Sequence, residues 1–204
     1  LKNSVIEGEE EIVVELTQKL LDASEKPVDI IQNGLIAGMD VVGQQFKTGE
    51  VFIPEVLLSA SAMNAGIDRL KPLLMEGDIP CRGKVVIGTV QGDLHNIGKS
   101  LVAMMLESKG YAIIDVGCDA APEVFVQAAL KEGADILAMS SLLTTSMMGM
   151  KTTINLAKAE GVRAKVIVGG APVSKAYADS IGADGYAPDG ATAVDLCDCL
   201  LGYA

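Results

Sequence analysis

The sequence predicts an α/β protein, with an N-terminal helical bundle followed by a doubly wound, five-stranded parallel sheet. Three observations lead there. Apolar residues over 1–77 recur at three- and four-residue spacing, as on helices packed in a small antiparallel bundle. From Lys84 onward the pattern changes to five short apolar runs without polar alternation, as in strands buried on both faces. Segments of helical character separate those runs, and alternation of that kind builds a parallel sheet with crossover helices.

The elements follow in order. LKNSVIEG reads as the end of one helix. EGEEEIVVELTQKLLDAS carries acidic residues in its first turn, where the helix dipole favours them. PVDIIQNGLIAGMDVVGQQFKTG opens at Pro27 and closes at Gly49, and PEVLLSASAMNAGIDRLKPLL opens at Pro54. Proline at the start and glycine past the end is the asymmetry helices show. Small residues crowd the helix faces (Gly34, Ala37, Gly38, Ser59, Ala60, Ser61, Ala62), which fits either close helix packing or room for something flat and bulky.

Residues 78–83, inside EGDIPCRGK, read as a linker between a unit over 1–77 and one over 84–204. KVVIGTV, YAIIDVG, DILAMSS, AKVIVGG and DGYAP read as strands, and IGKSLVAMMLESKG and PEVFVQAALKEGA as two of the helices between them. Such sheets bind ligands at the carboxyl ends of their strands. The loops there are QGDLHNIG, GCDAAP, SSLLTTSM, GGAPVS and PDGAT. They hold 16 of the 36 Gly, Ser, Thr and Asp residues of this half, together with the chain's single histidine, His95.

Composition narrows the classes. The net charge of −11 argues against nucleic acid or an anionic membrane as the main partner. No apolar run approaches the roughly 18 residues of a membrane-spanning helix, and the acidic start is unlike a secretion signal, so a cytoplasmic location is expected. Leu1 in place of Met leads us to expect that a few residues precede it. Aromatic residues make up 3% of the chain, so the core must be aliphatic. Cys197-x-Cys199 invites a metal or redox reading, but zinc sites space paired cysteines more widely and need further ligands. Reduced thiols on an apolar C-terminal helix fit better.

A histidine in the glycine-flanked loop TVQGDLHNIGKS could be a metal ligand, a base or a bystander. It follows the first strand; Asp93, two residues before it, could accept its ring N–H and raise the basicity of the other nitrogen. Gly92 and Gly98 allow close approach of a bulky group. The ending Gly98-Lys99-Ser100 is like that of a phosphate-binding loop, but Asp93 stands where that motif needs glycine and would repel phosphate. No dinucleotide fingerprint and no nucleophile elbow is present. One histidine holds a free metal ion poorly, but could hold a metal whose other ligands belong to an organic macrocycle.

At this point the sequence resembles the cobalamin-binding domains. Asp93-Leu94-His95-Asn96-Ile97-Gly98 matches their D-x-H-x-x-G motif, Ser140-Ser141-Leu142 matches S-x-L, and Gly169-Gly170 matches G-G. GMDVVGQQFKTGEVFIPEVLLSASAMNAGIDRLKP is similar to the cap bundle of methionine synthase and of small corrinoid proteins of methyltransferase systems. The resemblance implies a flavodoxin-like sheet binding cobalamin, with His95 replacing the cofactor's benzimidazole on cobalt. The displaced tail would enter a slot lined by Gly92, Ser140, Leu142, Thr144, Gly169, Gly170 and Gly190. Asp93 and Ser146 would complete a His–Asp–Ser relay. Phe46, Ile53 and Val56 would cover the upper face, and Gln32 falls where methionine synthase has an acidic residue; Phe46 fits plain bundle core equally well.

The same resemblance implies a methyl carrier rather than a stand-alone enzyme. It would serve a donor-specific methyltransferase, a second methyltransferase moving the methyl group onward, and a reductive activase, with the linker as hinge. The alternative is the cobalamin-binding subunit of an adenosylcobalamin-dependent mutase, which shares the sheet motifs but places a barrel, not a helical cap, over the upper face. A cobalamin-sensing regulator would need a basic DNA-binding module, and none is seen in the sequence.

Overall fold

The computed structural model describes residues 1–74 and 81–203. The expected linker lies outside the described residues as far as Pro80. The chain forms two compact units, one of residues 1–81 together with Ser108–Gly110, the other of Arg82–Glu107 and residues 111–204.

The first unit is helical: α1 (Lys2–Ile6), α2 (Glu10–Asp22), α3 (Pro27–Ile30), a π-helical stretch (Ile31–Ile36), α4 (Ala37–Thr48), α5 (Ile53–Leu70) and a short 3₁₀ turn (Lys71–Leu73). Glycine caps α4 at Gly49 in the left-handed conformation. Helix α5 opens with Glu55 accepting the Phe52 N–H at 2.9 Å, which satisfies one orphan donor of the helix start. Val56, Ser59, Ala60, Met63, Gly66 and Leu70 form the buried stripe of α5, at helical spacing. The small residues serve close packing. A β-carbon on Gly38 would sit 2.7 Å from Val5 Cβ, and buried Ser59 donates to the Ile6 carbonyl at 3.1 Å. Periodicity alone predicts one uninterrupted helix from Pro27. The π-helical turn inside it adds a residue to the local winding without disturbing the apolar spacing on either side.

The second unit is a five-stranded parallel sheet of order β2-β1-β3-β4-β5. Its elements are β1 (Gly83–Thr89), α6 (Ile97–Ser108), β2 (Tyr111–Asp115), α7 (Pro122–Glu132), β3 (Ile136–Ser140), α8 (Met148–Ala159), β4 (Lys165–Gly169), α9 (Lys175–Ile181), β5 (Gly185–Ala187) and α10 (Gly190–Leu201). Strand β1 begins at Gly83, paired with Tyr111, one residue ahead of the sequence-based start. The apolar runs are buried as strands covered on both faces must be; Phe125, Met150 and Ile154 from the covering helices pack with Val86, Leu137 and Val168.

Register decides where the loops begin. Thr89 pairs with Ser140, Ser140 with Gly169, and Gly169 with Ala187. These residues form one level line across the carboxyl edge. Strand order reverses between β1 and β3, so the crevice of a doubly wound sheet opens between their loops.

Candidate functional site

The β1 and β3 loops meet in that crevice around one side chain. Asp93 is fully buried. Its Oδ1 accepts the His95 main-chain N–H at 3.0 Å and lies 2.7 Å from the His95 ring Nδ1. Its Oδ2 accepts the N–H groups of Leu142 at 2.6 Å and Leu143 at 3.2 Å. The hydroxyls of Ser146 and Ser141 reach the same oxygen at 3.2 and 3.4 Å. Burial alone would push this carboxyl up; the N–H groups of His95 and Leu142, the His95 ring and the Leu143 N–H outweigh it and hold it well below the usual carboxylate range. An ionised Asp93 only accepts, so Nδ1 carries a proton and Nε2 is the ring nitrogen left for a metal.

The rest of the loop fixes the backbone beneath that ring. Thr89, at the end of β1, donates its hydroxyl to the His95 carbonyl at 3.0 Å. Asp119, in the β2 loop, accepts the Gly92 N–H at 2.7 Å and donates its own N–H to the Asp93 carbonyl at 2.9 Å. The His95 side chain nevertheless remains 53% exposed. Around it stand apolar side chains that water would ordinarily disfavour: Leu94 is 76% and Ile97 81% exposed, with Leu142 and Leu143 exposed in the facing loop.

The remaining residues singled out in the sequence fall into several groups. Gly92 and Gly98 border open space: a β-carbon on Gly98 would meet nothing, and one on Gly92 only Ser146 Cβ at 3.9 Å. Asn96 is exposed, and its carbonyl accepts the Ser100 N–H that starts α6. Thr144 is exposed and Ser140 half-buried in the β3 loop. At Gly169, Gly170 and Gly190 the fold leaves no room for a β-carbon. Their missing β-carbons would strike Ala187 O at 2.6 Å, Ser141 O at 1.9 Å and Met105 Sδ at 2.5 Å. Backbone packing uses the first two positions, whereas Met105 is a flexible side chain that can withdraw.

In the helical unit Gln32 is exposed on the π-helical stretch, Phe46 is half-buried on α4 and Ile53 is exposed at the start of α5. Val56 corrects the expectation of an upper-face contact. It is fully buried on the inner stripe of α5 and presents nothing outward. Phe52, 67% exposed next to Ile53, and exposed Leu57 and Leu58 are apolar residues off the buried stripe that the sequence reading did not single out. Cys197 is buried, its thiol pushed up to about 12 by burial and by Asp198, while Cys199 is exposed. The two do not form a site.

Among the described residues no group of three His, Cys, Asp or Glu side chains could hold a metal ion. The donor set therefore fits a metal that brings its other ligands with it. A single open imidazole nitrogen, ringed by exposed apolar residues and by glycines next to open space, suits a flat macrocycle with a metal at its centre.

Sheet, crevice and single imidazole define a cobalamin-binding protein, and comparison with known families agrees. Residues 83–195 match the B12 binding domain, and residues 1–71 match a second family also described as a B12 binding domain. The chain is 44% identical over 209 residues to a corrinoid protein of Desulfitobacterium hafniense (strain Y51), covering 99% of this chain and 96% of that one. It is 42% identical over 204 residues to the dimethylamine corrinoid protein of Methanosarcina barkeri, covering 98% and 95%. The crystal structure of a methanol:cobalamin methyltransferase complex from Methanosarcina barkeri contains a chain that superposes with a TM-score of 0.91 at 32% identity, covering 100% of this chain and 78% of that one. The chain belongs to the B12-binding corrinoid proteins.

Proposed function

We propose that this protein carries a methyl group on the cobalt of bound cobalamin, receiving it from a donor-specific methyltransferase and passing it to a second one. The observation that carries the reading is the His95 ring, its Nδ1 fixed on buried Asp93 and its Nε2 without a hydrogen-bond partner among the described residues. The relatives are named for dimethylamine and for a methanol:cobalamin methyltransferase complex, which supports methyltransferases as partners and makes methylamines and methanol the first donors to test.

Bound cobalamin supplies a cobalt that accepts and gives up a methyl group. The chain's own residues hold and orient it. His95 Nε2 would ligate its cobalt. Asp93 keeps the proton on Nδ1 and strengthens the other nitrogen as a ligand. Ser146, Ser141 and the Leu142 and Leu143 N–H groups balance the buried carboxylate, so that charge on His95 is adjusted through hydrogen bonds rather than through water. Leu94, Ile97, Leu142 and Leu143 would exclude water from the bound group. We assign the residues over 1–77 to shielding the upper face and the residues over 84–204 to cofactor binding, with Gln32, Phe46 and exposed Ile53 as contacts. A reductive activase belongs to the same scheme, because cobalt must be returned to its reduced state after stray oxidation. Three thiols outside any disulfide, Cys118, Cys197 and Cys199, support a cytoplasmic location. No helix among the described residues is long and apolar enough to cross a membrane.

The test is methylcobalamin formation by the reduced holo-protein with methylamines or methanol, with candidate methyltransferases added one at a time. Methylation is expected only when the matching partner is present. Breaking a C–N or C–O bond to methyl has a poor leaving group and needs activation that a ligand histidine does not provide. Rapid methylation by an unactivated amine without any partner would overturn the carrier reading.

A further inference from the structure

Lys99 is a cation where the helix physics offers it nothing. It stands in the first turn of α6, at the end of the helix dipole that repels positive charge. It is also buried, with 4% of its side chain exposed, and a buried ammonium is costly unless paired. Its partner is the carboxylate of Asp115, the last residue of β2.

That pair closes a circuit. The other Asp115 oxygen accepts the Gly117 N–H at 2.8 Å. The Gly117 carbonyl accepts the Thr89 N–H at 2.9 Å, and the Thr89 hydroxyl donates to the His95 carbonyl at 3.0 Å. The near end of the histidine segment is tied to the β2 loop through the two bonds between Asp119 and residues 92 and 93. The far end, where the segment becomes α6, is tied to the end of β2 by Lys99.

We propose that the Lys99–Asp115 ion pair anchors the far end of the His95 segment, making Lys99 a positioning residue for the imidazole. Without the pair, the first turn of α6 can shift against β2 and carry the ring off the direction that Asp93 sets. The proposal rests on the reading of His95 as cobalt ligand.

The experiment keeps the two apart. The full chain, labelled throughout with the heavy spin-half nitrogen isotope, is loaded with unlabelled cobalamin and reduced to the Co(II) form. Electron paramagnetic resonance then shows doublets where a protein nitrogen ligates cobalt and triplets where the cofactor's own base does. Doublets in the wild type, lost in His95→Ala, are the required starting point. Triplets in the wild type would remove the His95 reading itself, and the present inference with it. Given doublets in the wild type, Lys99→Met and Asp115→Asn are each expected to reduce their share and to weaken cobalamin binding by about tenfold, the lower end of the range for partners of metal ligands. Circular dichroism establishes that each variant is folded. Should Lys99→Met fail to fold, Asp115→Asn decides alone, since the Asp115 side chain is 41% exposed and the change keeps its shape. Undiminished doublets in the folded variants overturn the proposal, whether or not binding weakens, because weaker binding with an unmoved ring means a purely structural pair.

Discussion

In the proposed site, Asp93 would hold and His95 would ligate. The buried carboxylate carries the hydrogen bonds, and the ring it orients stays open on its other nitrogen. His95→Ala is therefore expected to shift the absorption of the Co(III) holo-protein toward that of a water-ligated or base-ligated form. Some cobalamin affinity should survive, because the proposed slot for the nucleotide tail does not depend on His95. An unchanged spectrum would sink the ligand assignment. The pairing of Asp93 with His95 was legible in the sequence because two residues in one loop cannot stray far from each other. Ser141 was not legible as a partner of Asp93. It reads as the unspecified middle of Ser140-Ser141-Leu142, and its hydroxyl comes within 3.4 Å of Asp93 only through the fold. The Leu142 and Leu143 N–H groups were hidden for a deeper reason: every residue type but proline carries one.

Among the elements, the glycines separate folding from binding. Gly170 has φ +119, and a β-carbon there would fall 1.9 Å from the Ser141 carbonyl oxygen. Gly170→Ala is expected to destabilise the protein by about 3 kcal/mol, combining backbone strain with a main-chain clash. Gly98 lies inside α6 with open space where its β-carbon would be. Gly98→Ala should raise stability by up to about 1 kcal/mol through helix propensity, yet weaken cobalamin binding if that space belongs to the macrocycle. Thermal melts and cobalamin titrations of both variants make the comparison. An alanine at 98 that binds as well as the wild type would remove Gly98 from the site. Strands were legible here because Val and Ile runs between helices have few other readings. The π-helical stretch was not, since the apolar spacing on either side of it is ordinary. Val56 was misplaced because a residue type shared by core and ligand face carries no mark of which it serves.

At the scale of the whole molecule, the two units have separate cores and separate patterns of burial. Residues 82–204 expressed alone are expected to fold and to bind cobalamin, and methylcobalamin in that fragment should photolyse faster than in the full chain. Equal photolysis rates would mean that the helical residues do not shield cobalt. The division into a helical and a sheet half was legible because the apolar period changes abruptly near Lys84.

The level edge formed by Thr89, Ser140, Gly169 and Ala187 has an evolutionary side. The loops after β1, β3, β4 and β5 leave the sheet at the same height, where this line of paired residues ends. An insertion or deletion in one of them leaves the register of its neighbours untouched. Lineages can therefore vary these loops beyond the bonds that tie Asp93 to Leu142 and Leu143 and Asp119 to Gly92, while inheriting the sheet below unaltered.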